Sequence, residues 1–293
     1  MKHLMLLSVA ILATVTLLPV ASVAQLVEQE PAQPKQGYSI PSYADQMREL
    51  EDSLRFSMAL QSGNLAEVKH YVEMYPDKKF LTTPVKLGKN DRTELPITVA
   101  VEGGYDNIIE YMYEQNPEII DKDCPDSWTG EDKFVGRAIR YKYVDTAILL
   151  LNYGAPICEK DATEYTPNTM VLLSETARNI KDKKELKKLI PALLDAGASL
   201  TYKTSNRGWY SNVFYIAAWE NNNNFMDVLL DEMQKRNIEK PKKVVVIENS
   251  CPPAQYARLF EEFKAYNKSA IEFLEKYGMK ISFDVKETWY GCD

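Results

Sequence analysis

Apolar residues recur along this chain in pairs of short helical segments separated by a polar turn. The clearest copy runs from Ala138 to Ile157, where an apolar segment containing Ala138 is followed by a second one centred on Leu149–Leu151. Gly154 comes next, and glycine adopts at no steric cost the positive φ that ends many helices. The pattern predicts two helices joined by a short turn.

The same arrangement returns along most of the chain. Two upstream copies place Gly63 and Gly104 at the turn, and three downstream segments repeat the apolar second helix. The six predicted second helices fall within 61–72, 101–113, 138–157, 193–200, 225–233 and 273–281. One copy has the run Asn221 to Asn224 instead of glycine, and it is predicted to be a turn because asparagine tolerates positive φ. Such units cannot bury their apolar face alone, so the pattern predicts a stacked array.

Two signatures indicate which repeat family the array resembles. Thr166-Pro167 matches the opening of the first helix in ankyrin repeats, and Leu149 to Ala155 and Leu193 to Ala198 match the Leu-Leu-Leu-x-x-Gly-Ala ending of the second. The chain therefore resembles the ankyrin-repeat family, while the rival tetratricopeptide arrays lack both signatures. The resemblance implies an all-α fold, a solenoid of about six helix-turn-helix repeats. The first-helix alanines that it expects to pack against neighbouring backbone are Ala59, Ala100, Ala138 and Ala217.

The copies depart from that family in length. Ala59, Ala100 and Ala138 stand 41 and 38 residues apart, against a family period of about 33. The loops between repeats, here called fingers, are therefore expected to be long. In the fourth repeat, Ala177 to Leu186 is interpreted as an insertion of about ten residues between the two helices.

The start of the chain is typical of an exported protein. Residues 1–24 resemble a secretory signal peptide, with Lys2 before an apolar run and Ser22-Val23-Ala24 as the cleavage site. The run, about 15 to 17 residues, is shorter than the roughly 20 needed to cross a bilayer. Residues 25–50 are expected to form a flexible leader, with folding starting near Tyr43 and the repeat domain covering 51–293. We expect a periplasmic or secreted protein without membrane insertion.

Four cysteines follow the predicted signal peptide, and an even number in an exported protein suggests disulfides. Cys251 and Cys292 would tie the C-terminal tail over the last repeat. Cys124 and Cys158 lie in equivalent fingers, which a regular stack holds roughly 10 Å apart, beyond the roughly 7 Å limit for a disulfide. That pairing stays open because a long finger could fold back, and four unrelated buried thiols are the alternative.

Charge and motifs disfavour several functions. The formal net charge is −7, which disfavours nucleic acid as a partner. His70, the one histidine after the predicted signal peptide, is expected to be half-buried, and the chain has no Cys-x-x-Cys, His-Glu-x-x-His or Gly-x-Ser-x-Gly motif. We therefore predict no catalytic residue, cofactor or metal. A hydrolase using two carboxylates in a groove is the alternative.

The family resemblance also implies a set of partner-binding residues, because ankyrin repeats bind proteins through their inner helices and fingers. On the inner helices these are Gln61, Glu102, Arg140, Tyr141, Trp219 and Glu220, and on the fingers Trp128, Tyr165, Arg207, Trp209 and Tyr210. Aromatic residues and arginine dominate interface hot spots. Packing onto the fingers is the alternative for Trp128 and Trp209.

These observations predict an exported, non-catalytic module that binds another protein. Two roles fit: an immunity protein that masks the active site of a toxin, or a chaperone-like partner of a periplasmic enzyme. An acidic inner face would favour a basic toxin.

Overall fold

The computed structural model describes residues 42–75, 77, 79–87, 92–120, 134–157, 171–200, 204–206, 209–248, 261 and 263–285. Within these ranges the chain is mostly helical, with a few short strands. The chain divides into two units, of which the first, residues 1–47, is described only from Ser42. The predicted signal peptide, most of the predicted leader, Thr166-Pro167 and the four cysteines lie outside the described residues.

The α-helices of the described ranges come mostly in consecutive pairs. They are α1 (Tyr43–Gln61), α2 (Leu65–Met74), α3 (Lys79–Thr82), α4 (Pro96–Gly103), α5 (Asp106–Gln115), α6 (Phe134–Arg140), α7 (Val144–Asn152), α8 (Leu172–Asn179), α9 (Lys183–Asp195), α10 (Val213–Trp219), α11 (Asn223–Lys235) and α12 (Lys268–Lys276). A 3-10 turn, Pro117–Ile119, follows α5, and residues 261 and 263–266 are helical just before α12. No helix in these ranges has the length and apolar character to cross a bilayer.

All six predicted second helices are confirmed as helices, namely α2, α5, α7, α9, α11 and α12. Each begins within a few residues of its partner's end, so a pair is joined by a tight turn. The structure places the start of α1 at Tyr43, as the pattern suggested. Residues 43–50, which the domain boundaries assigned to the leader, are therefore helical.

A buried alanine marks the first helix of each complete pair. Ala59, Ala100, Ala138 and Ala217 are fully buried, as predicted for residues packed against neighbouring backbone. Ala177 is equally buried and stands 39 residues after Ala138. The predicted insertion at Ala177 to Leu186 is therefore wrong, since only residues 180–182 separate α8 from α9. The Thr-Pro signature at 166–167 had placed the start of this helix upstream of Leu172, where α8 begins.

Up to α11, first helices pack against first helices and second helices against second helices. The first helices α4, α6, α8 and α10 contact one another in chain order, and so do the second helices α2, α5, α7, α9 and α11. The buried apolar side chains form one continuous core from Phe56 on α1 to Leu274 on α12. Each pair therefore buries its apolar face against the next pair, which makes stability a sum of neighbour contacts.

The described ranges contain six short strands, five in the fingers and one at the start of the C-terminal tail. They are β1 (Val85–Leu87), β2 (Arg92–Glu94), β3 (Thr204–Asn206), β4 (Trp209–Ser211), β5 (Lys243–Glu248) and β6 (Lys280–Val285). β1 and β2 form an antiparallel hairpin. The other four form a sheet in the order β3-β4-β5-β6, in which only the β5–β6 pair is parallel.

The strands correct one expectation. Trp209 and Tyr210 were placed in a finger loop, but their backbone lies in β4, paired with β3 on one side and β5 on the other. The disulfide predicted to hold the tail, Cys251 with Cys292, lies outside the described residues, and the first residues of the tail form β6 beside β5. The run Val244–Val246 gave a signal for this sheet, because consecutive β-branched residues favour strands.

Candidate protein-binding surface

Four of the turns inside the helix pairs share one backbone geometry. Gly63, Gly104, Lys142 and Asn221 all have positive φ, between 48° and 68°. In each of these turns, the amide of the next residue donates to the carbonyl of the buried alanine, as from Tyr105 to Ala100 over 3.0 Å. This bond satisfies a carbonyl that the helix end would leave without a partner. The predicted turn glycines, including Gly154 with φ of 83°, are confirmed.

The run of four asparagines is only partly a turn. Asn221 supplies the positive φ and Asn222 is the N-cap of α11, its side chain accepting from the amide of Phe225. Asn223 and Asn224 already belong to α11, so the predicted turn ends earlier than expected.

Tyrosines from one turn cover the preceding turn. The hydroxyl of Tyr105 donates to the carbonyl of Gln61 over 2.9 Å. A methyl group on Gly63 would come within 2.6 Å of the Tyr105 ring, and one on Gly104 within 2.7 Å of Tyr143. The glycines are therefore required twice, for their φ and for the close approach of the next repeat's ring.

The third turn leaves two of its aromatic rings exposed. Tyr141 and Tyr143 stack almost parallel, with ring centroids 6.4 Å apart, and are 45% and 37% exposed. Arg140 and Lys142, beside them in sequence, are also exposed. Large exposed rings held in place by neighbours are typical of protein-binding surfaces, because their contact area is ordered in advance.

The fourth turn carries Lys181 instead of an aromatic residue. Its ammonium donates to the carbonyl of Ala177 over 3.0 Å and lies 3.7 Å from the Glu220 carboxylate. Partial burial lowers the pKa of Lys181, and the nearby charge of Lys142 lowers it further, whereas Glu220 raises it. Lys181 thus connects the fourth turn to the turn at Glu220.

The fifth turn ends in a second aromatic group. The half-buried Trp219 contacts the rings of Tyr215 and Tyr266, with centroids 6.2 and 5.6 Å away. Tyr215 is fully buried and its hydroxyl donates to the side chain of Asn267, whereas Tyr266 is 58% exposed. Burial raises the pKa of Tyr215, so it stays a neutral hydrogen-bond donor.

These contacts run from turn to turn, and we call the residues they connect the turn face. It consists of Gln61, Tyr105, Arg140, Tyr141, Lys142, Tyr143, Lys181, Trp219, Glu220 and Tyr266. Five of the predicted binding residues belong to it: Gln61, Arg140, Tyr141, Trp219 and Glu220. The prediction missed the others, although Tyr105 and Tyr143 follow the positive-φ residue of successive turns, which is a position that aligning the repeats could have shown.

Glu102 was predicted as a binding residue but is engaged within the protein. Its carboxylate accepts from Arg137 over 2.6 Å and from Arg92 over 2.7 Å, and its side chain is only 15% exposed. Glu94 on β2 contacts the same two arginines. The cluster therefore fastens the first finger to α4 and α6, and Glu102 is better explained as a structural residue than as a contact for a partner.

The predicted finger residues contribute less. Trp128, Tyr165 and Arg207 lie outside the described residues, and for Trp209 and Tyr210 only the backbone in β4 is described. His70 was expected to be half-buried, but it is exposed on α2, with its ring 5.3 Å from that of Tyr71. The buried residues of this helix are Val68, Tyr71 and Val72.

Metal-binding side chains are not grouped in the described part of the chain. No cluster of three or more histidine, cysteine, aspartate or glutamate side chains occurs within those ranges. Compared with known proteins, the chain matches no family model, and no curated protein matches it either.

Proposed function

We propose that this chain is an exported ankyrin-repeat array that binds another protein through the turn face and performs no catalysis. Three features support the ankyrin assignment. Helix pairs repeat about every 40 residues with a buried alanine in each first helix, consistent with a long-finger version of the family repeat. Short strands occupy the fingers, and like helices pack against like.

The observation that carries the binding function is the exposure of aromatic rings that are held in place by neighbouring rings or turns. Tyr141, Tyr143 and Tyr266 are each more than a third exposed, yet every one contacts another ring or turn. Exposing such rings to water gains nothing for the fold, whereas burying them against a partner removes large apolar areas at low entropic cost. Their arrangement over several repeats favours one extended interface.

A hydrolase based on two carboxylates fits the structure less well. Glu94 and Glu102 lie together, but each is held by Arg92 and Arg137. The side chains of Glu94 and Glu102 are only 18% and 15% exposed, so neither carboxylate is open to a substrate, which a catalytic carboxylate must contact. Binding without catalysis is therefore the function we favour.

A site-specific photocrosslinker tests this function in cells. We would place it at position 141 on the turn face and, as the control, at Lys184, which is exposed on α9. We expect one dominant protein to be crosslinked from position 141 and not from position 184. No product from position 141, or the same products from both sites, would contradict the proposed interface.

The purified partner then separates the two roles proposed for an exported binder. An immunity protein should abolish the activity of its toxin at stoichiometric amounts. A chaperone-like protein should raise the thermal midpoint or the yield of its partner enzyme without inhibiting it. An assay of partner activity with and without this protein distinguishes them.

A further inference from the structure

One turn has a lysine at the positive-φ position where equivalent turns have glycine, and the fold itself gives no reason for the lysine. Lys142 has φ of 67°, almost the value at Gly63 and Gly104 in the equivalent turns. A lysine side chain disfavours this left-handed conformation, which glycine adopts freely. Among the described residues, none forms an ion pair with Lys142 that would compensate the strain. Strained residues of this kind concentrate at sites of function.

The neighbouring lysine adds a second unfavourable feature. Lys181 is half enclosed, and burial together with the charge of Lys142 lowers its pKa. Its contact with Glu220 is long, at 3.7 Å, and its shorter bond is to a neutral carbonyl of Ala177. Lys181 holds the same position in its turn as Lys142 in the preceding turn, four residues after the buried Ala177 and Ala138. Among the described residues, the long contact with Glu220 is the only ion pair of either ammonium, so an anion bound across the two turns would find both as donors.

The charges around these lysines make the centre of the turn face locally basic in an acidic protein. The turns at Lys142 and Lys181 carry three cations, Arg140, Lys142 and Lys181, of which Lys181 contacts Glu220. The other acid there, Asp182, accepts from the amide of Glu185 at the start of α9. The chain as a whole has a formal net charge of −7. An acidic inner face suited to a basic toxin does not fit this distribution.

We propose that the centre of the turn face binds an acidic segment of the partner protein, with a carboxylate seated between Lys142 and Lys181 and the segment packed against Tyr141 and Tyr143. This inference rests on the proposed function and specifies the chemistry of its partner. Charge-assisted bonds to a carboxylate would fix the register, and the tyrosines would supply apolar contact area. A nucleic acid fits less well, because its dense charge is repelled by the protein's net charge.

A pair of fluorescent peptides tests the charge requirement on the full mature chain. One peptide has six glutamates alternating with alanines and tyrosines, and the other has glutamine at those six positions. We expect the glutamate peptide to bind more tightly in fluorescence anisotropy. The double substitution Lys142→Glu with Lys181→Glu should weaken its binding by about tenfold or more. The matched control, Lys184→Glu with Lys187→Glu on the same protein, should change it less than about twofold.

Several outcomes would overturn the inference. They are equal binding of the two peptides, no binding of either, equal loss in both double variants, or tighter binding of a thymidine oligonucleotide of the same net charge. The last result would identify a general anion surface.

Glycine substitution separates the role of Lys142 in binding from its effect on the fold. Lys142→Gly should raise the thermal midpoint by about 2 to 4 °C, because it removes the left-handed strain. It should also weaken binding of the glutamate peptide. Asn237, with φ of 56° at the end of α11, provides the control. Asn237→Gly should raise the thermal midpoint without changing the affinity for the peptide. Unchanged peptide affinity in Lys142→Gly would contradict the proposal.

The crosslinking experiment shows which proposal has failed if one does. The first case is that position 141 crosslinks a partner with equal yield in the Lys142→Glu, Lys181→Glu double variant. The partner then does not use the lysines, so this inference is wrong while the binding function stands. When wild type gives no crosslink at position 141, the binding function itself falls.

Discussion

Two turns of this protein complete the same helix-pair geometry by different means. At Gly104 the chain turns with a left-handed glycine, and the amide of Tyr105 donates to the Ala100 carbonyl within the same repeat. Between α8 and α9 the described turn residues have no positive φ. There the carbonyls of Ala177 and Ile180 accept from the side-chain amide of Asn222, over 2.9 and 2.8 Å.

The two turns differ in which repeat supplies the hydrogen-bond donor to their backbone carbonyls. The turn at Gly104 closes by itself, so its hydrogen bonding does not depend on the next repeat. The turn at residues 180–182 instead accepts from a side chain of the fifth repeat, Asn222, which lies 42 to 45 residues away along the chain. In an array stabilised by neighbour contacts, such a bond between repeats couples the folding of two repeats more strongly than apolar packing alone.

Removing the donor that the fifth repeat supplies should have the largest effect. Asn222 is 3% exposed, and its side chain both bonds two carbonyls of the fourth repeat and caps α11. Asn222→Ala leaves the Ile180 carbonyl and the Phe225 amide without these partners, and the Ala177 carbonyl keeps only its bond from Lys181. We therefore expect a loss of about 3–4 kcal/mol in the free energy of unfolding. Urea denaturation should also show a lower m value if the fourth and fifth repeats then unfold separately.

The control for this prediction lies two residues along the chain. Asn224 also donates to the same segment, at the Lys181 carbonyl over 2.9 Å, but it is exposed. Asn224→Ala should therefore cost no more than about 0.5 kcal/mol, because water replaces the lost bond. Equal destabilisation by the two variants would mean that the buried bonds do not couple the repeats.

The self-closing turn is broken by adding a methyl group. Gly104→Ala should cost about 2–3 kcal/mol, because alanine disfavours φ of 65° and its methyl group would lie 2.7 Å from the Tyr143 ring. Gly154 has φ of 83°, but a methyl group added there would have nothing within 4 Å. Gly154→Ala should therefore cost only about 1 kcal/mol. The difference between the two melting midpoints measures the close approach of Tyr143, and its absence would mean that the ring moves away freely.

A third variant shows whether other buried bonds between repeats behave like that of Asn222. Asn267 precedes α12 as Asn222 precedes α11, and it is fully buried while accepting from the Tyr215 hydroxyl over 2.6 Å. Tyr215→Phe should cost about 1–2 kcal/mol in chemical denaturation, since it leaves the Asn267 oxygen without its donor. Tyr266→Phe, at an exposed ring, should be neutral.

The smallest effect is expected at an exposed bond between repeats. Burial would raise the pKa of Asp227, but hydrogen bonds from Lys183 and Tyr277 outweigh it and hold that pKa below its ordinary value. Since the folded pKa is depressed, the stabilisation is present above about pH 4 and is lost as pH falls through the folded value. Asp227→Asn should therefore lower the thermal midpoint slightly at pH 7, and the difference from wild type should vanish at acid pH.

Removing one of the two donors refines the acid-pH result. Tyr277→Phe should show part of the same pH-dependent difference, because Lys183 remains paired with Asp227 over 3.0 Å. A difference between wild type and Asp227→Asn that persists unchanged at acid pH would show that the carboxylate charge is not what stabilises the contact.

Much of the helical framework could be predicted from the sequence. The second helices were found because apolar residues at helical spacing and a following glycine, such as Gly154, are local signals. The strands were missed because each is short and is stabilised by pairing with a strand elsewhere in the chain, as β5 is with β6. The start of α8 was also misplaced, because a two-residue signature was given more weight than the spacing of the buried alanines.

The turn face could be predicted only in part. Arg140, Tyr141 and Trp219 were identified because they follow the alanine of their helix, a position the sequence alone defines. Lys181 could not be placed there while its segment was interpreted as an insertion. Glu102 was identified by the same rule, yet its role depends on Arg92 and Arg137, which approach it from another finger and another helix.

The sequence by itself determined where the second helices lie, which face of each is apolar, and where glycine completes a turn. These properties depend on neighbours within a few residues along the chain, so spacing and residue type are sufficient. Only the tertiary structure decided which exposed side chains meet, because residues such as Lys142 and Lys181 become neighbours only when consecutive pairs stack. A function that belongs to such a surface is therefore defined by the stacking, since no single repeat contains it.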